Sequence, residues 1–516
     1  MHRDDDEKTT SIWTQTAPPP APYASLTEDT HCAVCIVGAG IAGMTTAYLL
    51  AREGRSVVVL DDGPIGGGMT QRTTAHLSNA IDDHYFEIER LHGQKGSQLA
   101  AQSHSAAIDR IEAIVAEENI DCDFERVDGY LFVPQGDSKE ILDRELEAAH
   151  RAGLNAVAKV ERAPITSFDT GWCLRFPRLA QFHPLKYLAG LARAIDGNGG
   201  RIYTHTHADK VKGGRQAHVQ TSDGHTVSAD AIVIATNSPI NDIVTMHTKQ
   251  APYTTYVIGA RIPAGAVTTG LYWDTADPYH YVRLQRISPD HGEAYDVLIV
   301  GGEDHKTGQA DDGLARHAAL EAWARLRFPM IEEIVFSWSG QVLEPVDGLA
   351  FIGRNPSGPN NVYIATGDSG MGMTHGTIAG MLITDLIMER PNAWADLYDP
   401  ARKTLSALFT YMEENINVAK QYAAGFATGG EVDSPEEIAP GEGAILRSGL
   451  TKIAAYRDEQ GRLHQRSALC QHLMCIVQWN SLEKTWDCPC HGSRFDRYGD
   501  VITGPANSAL KDVKGE

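Results

Sequence analysis

No apolar run in this 516-residue chain approaches the ~18 residues of a membrane-crossing helix, so no bilayer span is expected. The N-terminus reads Met1-His-Arg-Asp-Asp-Asp-Glu and continues through Pro18 to Pro22. It has neither the apolar stretch nor the cleavage site of a secretory signal, and no twin-arginine pair, so cytoplasmic residence is the expectation. Basic residues are scarce as well: 45 Lys and Arg stand against 67 Asp and Glu, a net charge of -22. Without a cationic run, nucleic acid is not an expected partner. The acidic balance favours cationic substrates or a basic electron-transfer partner, although solubility alone accounts for it. The 8 cysteines are too scattered for a disulfide framework, since Cys32, Cys35, Cys122 and Cys173 stand apart from four near the C-terminus. Cys32-Ala-Val-Cys35 spells C-x-x-C, but on an expected strand positions three apart face opposite sides, which favours buried cysteines over a redox pair.

What is present divides the chain. Residues 1–30 are polar, proline-bearing and aperiodic, and read as a surface tail or disorder. Ala33 to Val37 is apolar, Gly38-Ala-Gly40-Ile-Ala-Gly43 interrupts it, Met44 to Arg52 has helical periodicity, and Ser56 to Leu60 is a second apolar run ending in Asp61-Asp62. Strand, glycine turn, helix and strand in this order make a dinucleotide site. Gly38 permits the tight turn, Gly40 lets backbone approach a pyrophosphate, and Gly43 allows close helix packing. Asp61 accepts from ribose hydroxyls, with Asp62 as the alternative. Further strands are expected at Tyr279 to Leu284, Val297 to Val300 and Val362 to Ala365, and helices at Tyr187 to Asp196, Asp312 to Arg327 and Thr377 to Met388. Residues 422–443, rich in Ala, Gly, Pro and Glu, read as a linker. Residues 444–516 show short strands and turns only.

Several segments carry a resemblance to the glycine and D-amino-acid oxidase family. Gly66-Gly-Gly-Met-Thr70-Gln-Arg72-Thr73-Thr74-Ala75-His76 resembles its second flavin-contacting segment. Asp230 to Thr236 resembles the strand that returns beside the adenosine. Asp347 to Arg354 and Asn361 to Thr374 resemble the segments that close over the isoalloxazine ring. The resemblance spans about residues 31 to 400 and implies FAD, bound by Thr70, Arg72, Thr73, Thr74, Ala75, Val211, Ala235, Thr236, Gly367, Gly370, Gly372, Met373 and Thr374 besides the glycine turn. His76 does not match the offset of the histidine that some members join to FAD, so the flavin is expected to be non-covalent. The implied architecture for 31–421 is an α/β Rossmann-like FAD-binding domain interleaved with an α+β mixed-sheet substrate domain.

Near the C-terminus Cys470-Gln-His472-Leu-Met-Cys475 and Cys488-Pro-Cys490-His491-Gly-Ser493 form two Cys/His boxes that resemble a Rieske protein. Cys470, His472, Cys488 and His491 supply the two thiolates and two imidazoles of a Rieske [2Fe-2S] centre, a donor set that could also hold structural zinc. The resemblance implies a small all-β Rieske domain, a disulfide between Cys475 and Cys490 as in cytochrome bc-type members, and a third covering loop at Gly504-Pro505. Ser493 matches the serine that hydrogen-bonds a cluster sulfur there, while Phe495 replaces a tyrosine that donates a second such bond.

No second G-x-G-x-x-G follows a strand, so a nicotinamide domain is not expected. No two histidines stand five apart, as the mononuclear iron of a Rieske oxygenase would need. The expected substrate is a small amine or amino acid, oxidised at the C-H beside nitrogen, with electrons leaving singly through the cluster to an external one-electron carrier. Two other readings remain: electrons entering through the cluster to a reductase or oxygen-using flavin, and a non-catalytic electron-transfer module. For catalysis the candidates are His375, Lys306, His305, Arg283 and Tyr256. Tyr253, Tyr279, Tyr281 and Trp338 join them on the substrate side.

Overall fold

The strands on either side of the glycine turn lie at the centre of a parallel sheet. In the computed structural model, which describes residues 9–17, 22–241, 246–289, 292–427, 430–449 and 451–513, Thr30–Val37 pairs with Val57–Leu60 and with Thr226–Ile234. Val362–Thr366 and Arg201–Tyr203 extend the sheet at its two sides, and Phe351–Arg354 adds an antiparallel edge. The strands are apolar on both faces because both are covered: Ile36, Val59 and Val233 enter one core and Val58, Ile232 and Ile364 another. Gly38 has a φ of 108°, and a Cβ there would strike the Ala235 carbonyl. A Cβ on Gly43 would overlap the Gly38 carbonyl, so helix Ile41–Arg52 sits where only glycine lets it sit. Cys32 and Cys35 are buried, as expected, but share one core. Ala33 and Val34 both donate to the Ser56 carbonyl, an irregularity that turns Cys32 onto the face of Cys35.

A nine-stranded mixed sheet forms the second layer. Its long antiparallel members Gln250–Pro263, Tyr295–Lys306 and Glu333–Pro345 pack one face against helix Gly313–Arg327 around Tyr256, Leu298 and Leu320. Helices expected from periodicity appear at Pro184–Gly197 and Gly372–Ile387, and the strand expected at Val297 to Val300 lies inside Tyr295–Lys306. A long helix, Tyr85–Glu117, kinked at Gly93, has no counterpart in the sequence reading. Beyond it all, residues 442–503 make two small antiparallel sheets of three and four strands, the all-β domain that was expected. Among the described residues no helix is long and apolar enough to cross a membrane.

Two boundaries differ from expectation. Residues 1–8 and 18–21 of the expected tail lie outside the described residues, but 9–17 are no surface tail. Helix Ile12–Thr16 buries Ile12 and Trp13 completely, and the Trp13 indole donates to the Thr73 carbonyl at 2.6 Å. Its aperiodic sequence hid this because a short strap is buried by what it crosses, not by its own pattern. The segment read as a linker from 422 begins inside helix Leu408–Ala427. Val418 packs on the core of the C-terminal domain, and Gly425 lies against Ile476. Residues 428–429 lie outside the described residues, and Val432 bridges to Leu446.

Trp13→Ala removes a fully buried indole from beneath the flavin-side segment and should cost about 3–5 kcal/mol. It should appear as a lowered midpoint in chemical denaturation, with Trp13→Phe losing clearly less.

Candidate active site and cluster centre

One cavity of about 970 Å³ runs between the two large sheets. At one end Gly38, Gly40, Asp61, Asp62, Ala235 and Thr236 line it. Asp61 accepts from the Ala39 N-H at 2.6 Å and the Gly63 N-H at 2.8 Å, so it holds the glycine turn; Asp62 reaches His207 at 3.2 Å. Thr70 accepts from the Ile41 N-H at 3.1 Å at the helix start. Arg72, Thr73 and Thr74 continue the wall, and Gly367, Gly370, Gly372 and Met373 line it where helix Gly372–Ile387 begins. Free N-H groups at that start can face negative charge. The glycine cradle, which a Cβ on Gly38 would break, fits a dinucleotide.

Four expected cofactor contacts are placed differently. Val211 does not line the cavity; it packs beside the outer core, and Thr206, His207 and Ala208 take the wall instead. Strand Ala208–Lys212 runs into a hairpin with His218–Thr221, which carries Val211 away. Thr374 is buried behind the turn, its hydroxyl on the Met371 carbonyl and 2.8 Å from His104. Ala75, with a φ of 58°, and Gly43 support the wall from behind.

Of the catalytic candidates only His375 lines the cavity. Its Nδ1 lies 2.9 Å from the Asp368 carbonyl, and burial pulls its pKa down to about 4, so the ring is neutral with its proton on Nδ1. Arg283 is a correction: fully buried, it donates to the carbonyls of Ala75 and Phe182 at 3.0 Å each and braces the flavin-side segment from beneath. Lys306 pairs with Glu414 at 2.6 Å, joining the sheet to helix Leu408–Ala427. His305 stacks on Tyr256 at 5.7 Å between ring centres, and both belong to the opposite face of the sheet. Trp338 donates to the Arg72 carbonyl at 2.9 Å. Tyr279 and Tyr281 do reach the cavity.

The sequence reading missed the acids. Asp82, Asp304, Glu344 and Asp368 line the same cavity. Tyr279 donates to Asp82 at 2.7 Å, Ser369 to Glu344 at 2.9 Å, and the Leu343 N-H to Asp368 at 2.9 Å. Burial pushes Asp82 up to about 7, and Asp304 and Asp368 up to about 6. Glu344 is raised by burial and by the neighbouring Asp83 and Asp82. Asp368 lies inside the segment Asn361 to Thr374 and Asp82 six residues past His76, where the sequence could have flagged them; Asp304 and Glu344 come from separate strands.

In the C-terminal domain Cys470 and Cys488 are buried and hydrogen-bonded to each other. The rings of His472 and His491 lie 5.0 Å apart between centres, and Nδ1 of His491 is buried with no hydrogen-bond partner. Two adjacent thiols, two adjacent imidazoles and an orphaned ring nitrogen fit a Rieske cluster. Cys475 and Cys490 form the disulfide. Their sulfurs lie within 4.8 Å of Cys488, but bonded to each other they offer no thiolate to a metal. Ser493 Oγ accepts from the Ala506 N-H at 3.0 Å and bonds the Cys470 sulfur. Phe495 is fully buried in the domain core.

The two sites adjoin. Gln341, a cavity residue, donates through Nε2 to the Gly492 carbonyl at 2.8 Å, one residue past His491. The His247 ring lies 4.7 Å from that of His472. Arg72 pairs with Glu483 at 3.4 Å, with both side chains buried. Asn507 donates to the Ala208 carbonyl at 2.9 Å, and residues 501–504, 506 and 507 line the cavity beside Asp62, His207 and Ala208. The cluster domain is therefore a wall of the flavin cavity and not a tethered appendage.

Comparison with known proteins agrees. The family model for FAD dependent oxidoreductases matches residues 33–386, and that for the Rieske [2Fe-2S] domain matches 430–514. The first brings FAD and the second a [2Fe-2S] cluster. YhfW of Bacillus subtilis (strain 168), named as a Rieske 2Fe-2S iron-sulfur protein, is 33% identical over 95% of both chains. Gamma-glutamylputrescine oxidoreductase of Escherichia coli (strain K12) is 28% identical over 79% of this chain and 96% of its own. Among solved structures, glycine oxidase from Geobacillus kaustophilus superimposes with a TM-score of 0.59 at 19% identity, covering 72% of this chain and 99% of its own, a likeness of fold.

Two outcomes follow from this geometry. Ser493→Ala removes a donor that favours the reduced, more negative cluster. The midpoint should fall by about 40 mV if about 1 kcal/mol of the bond is redox-dependent, as read by spectroelectrochemical titration. Ending the chain after Ala427 opens the cavity beside Asp62 and His207, so the fragment should lose FAD on gel filtration under conditions where the full chain stays yellow.

Proposed function

The chain belongs to the family of FAD-dependent oxidoreductases and carries a Rieske [2Fe-2S] domain, and from that premise we propose that it dehydrogenates an amine or amino acid beside nitrogen. The two electrons leave singly, through its own cluster, to an external carrier. The observation that supports it is the Gln341 bond from the cavity wall to Gly492, the residue that follows the expected ligand His491. Oxidation of R₂CH-NH₂ yields R₂C=NH, two electrons and two protons, and water then releases the carbonyl product and ammonia. FAD, when bound, accepts the electron pair and parts with it one electron at a time, which is what a one-electron cluster can take.

The chain's residues supply the surroundings. The start of helix Gly372–Ile387 opens on the cavity and offers N-H groups to negative charge. Neutral His375 and the tyrosines Tyr279 and Tyr281 shape the inner end. Fusing both centres in one chain makes their encounter intramolecular. His247, Pro252 and Gln341 lie against the histidine side of the cluster, leaving only part of His472 exposed to an incoming carrier.

Anaerobic mixing of the holoenzyme with a panel of amines and amino acids tests this: flavin absorbance should bleach first and the cluster signal follow. Gln341→Leu should leave flavin bleaching intact and slow cluster reduction several-fold. Reduction of both centres only by an external low-potential protein donor would overturn the proposed direction.

A further inference from the structure

Four carboxylates line the cavity's inner end, and no lysine or arginine lines it beside them among the described residues. Arg72 and Arg193 are the cavity's guanidiniums. The first is held by Glu483 and the Ser339 carbonyl, and the second stands beside Tyr23 and Asp196, on the far side from the acids. Asp82, Glu344 and Asp304 each hold a hydroxyl, while Asp368 holds the Leu343 N-H. Asp82 is tied to Tyr279, whose ring lies 5.4 Å from Tyr281. Tyr281 shares a 2.7 Å bond with Thr255, which also bonds Asp304. Glu344 joins through Ser369 to Asp83, a fifth carboxylate behind the wall. Oδ1 of Asp304 and Nε2 of His375 are buried and unpartnered. With its proton on Nδ1, His375 has a lone pair on Nε2, so both orphaned atoms are acceptors.

A site made for an amino acid would need a cation for the substrate carboxylate. Here the wall offers acceptors and negative charge, and burial holds several of these acids above their usual range, Asp304 even though Arg316 stands at its backbone carbonyl and eases the shift. We propose that the inner end of this cavity binds an aliphatic diamine or polyamine, its remote ammonium held by Asp82 and Asp304 with Glu344 and Asp368 completing the charge balance. The inference rests on the oxidoreductase reading above. The amine that reacts faces the flavin as the free base, and the second nitrogen, still protonated, supplies the charge that the wall lacks.

The test uses the holoenzyme under anaerobic conditions with 1,4-diaminobutane, spermidine, n-butylamine, glycine, L-proline and D-alanine, following flavin bleaching. The diamine or spermidine should half-saturate at concentrations lower than n-butylamine by roughly 10- to 100-fold, the scale of one charge-assisted hydrogen bond. Asp304→Asn and Asp82→Asn should shrink that ratio toward one, while Asp304→Glu retains most of it; flavin content confirms that each variant is folded. In parallel, calorimetry should detect binding of 1,4-bis(trimethylammonio)butane, which has no nitrogen lone pair to oxidise, and should lose it in the Asn variants. Tighter use of amino acids than of any amine, or a ratio unchanged in both Asn variants, overturns the inference and leaves the oxidoreductase reading standing. Bleaching by neither class overturns that reading itself.

Discussion

Arg72 is the residue on which the parts of this molecule meet. It lies in the flavin-side segment, its guanidinium donates to the carbonyls of Ser339 and Thr9, and it pairs with Glu483 of the cluster domain. Its own carbonyl receives the Trp338 indole, and the next carbonyl, of Thr73, receives that of Trp13. Substrate sheet, N-terminal strap, flavin segment and cluster domain are thus registered on two consecutive residues. Burial opposes the charge on Glu483, but Arg72, Arg494, Ser339 and Thr9 outweigh it and hold the carboxyl below its usual range. A buried pair of this kind adds little net stability, because desolvation offsets attraction. What it imposes is geometry, since either partner left alone would be a buried charge short of its main counter-charge.

That registration also sets the cluster domain against the cavity. With Arg72 and Glu483 engaged, Gln341 meets Gly492 and the His472 ring meets His247, so the cluster's histidine side looks inward at the cavity. The same docking lays Thr503 to Asn507 over the cavity beside Asp62 and His207. One interface therefore closes one end of the cavity and sets the cluster domain against its wall.

The inner end of the cavity sets this chain apart from a general amino-acid site. Its walls come from the substrate sheet, the turn before helix Gly372–Ile387 and the loop at Asp82, and each contributes a carboxylate, of which Asp304 has Arg316 close by. Arg283, a buried arginine of the substrate sheet, is spent on the backbone of Ala75 and Phe182. Charge balance at this end is left to whatever binds there.

The glycine turn and the two Cys/His boxes were legible in the chain because phosphate binding and metal ligation require particular residue types at short, fixed spacings. A strand, a turn and a helix start place Gly38, Gly40 and Asp61 whatever surrounds them, and two tight loops place Cys470, His472, Cys488 and His491. Strands and helices with strong periodicity were legible for the same local reason. Tertiary structure alone decided which side chains meet across long separations. Arg283 and His375 were both named as candidates, one on an apolar strand and the other just past the closing segment, yet one turned beneath the flavin segment and the other into the cavity. Val211 lost its place to Ala208 through the hairpin that follows it, Trp13 was buried by what its strap crosses, and four acids from distant segments converged on one cavity. Such contacts depend on how strands register and sheets stack, which no local spacing encodes.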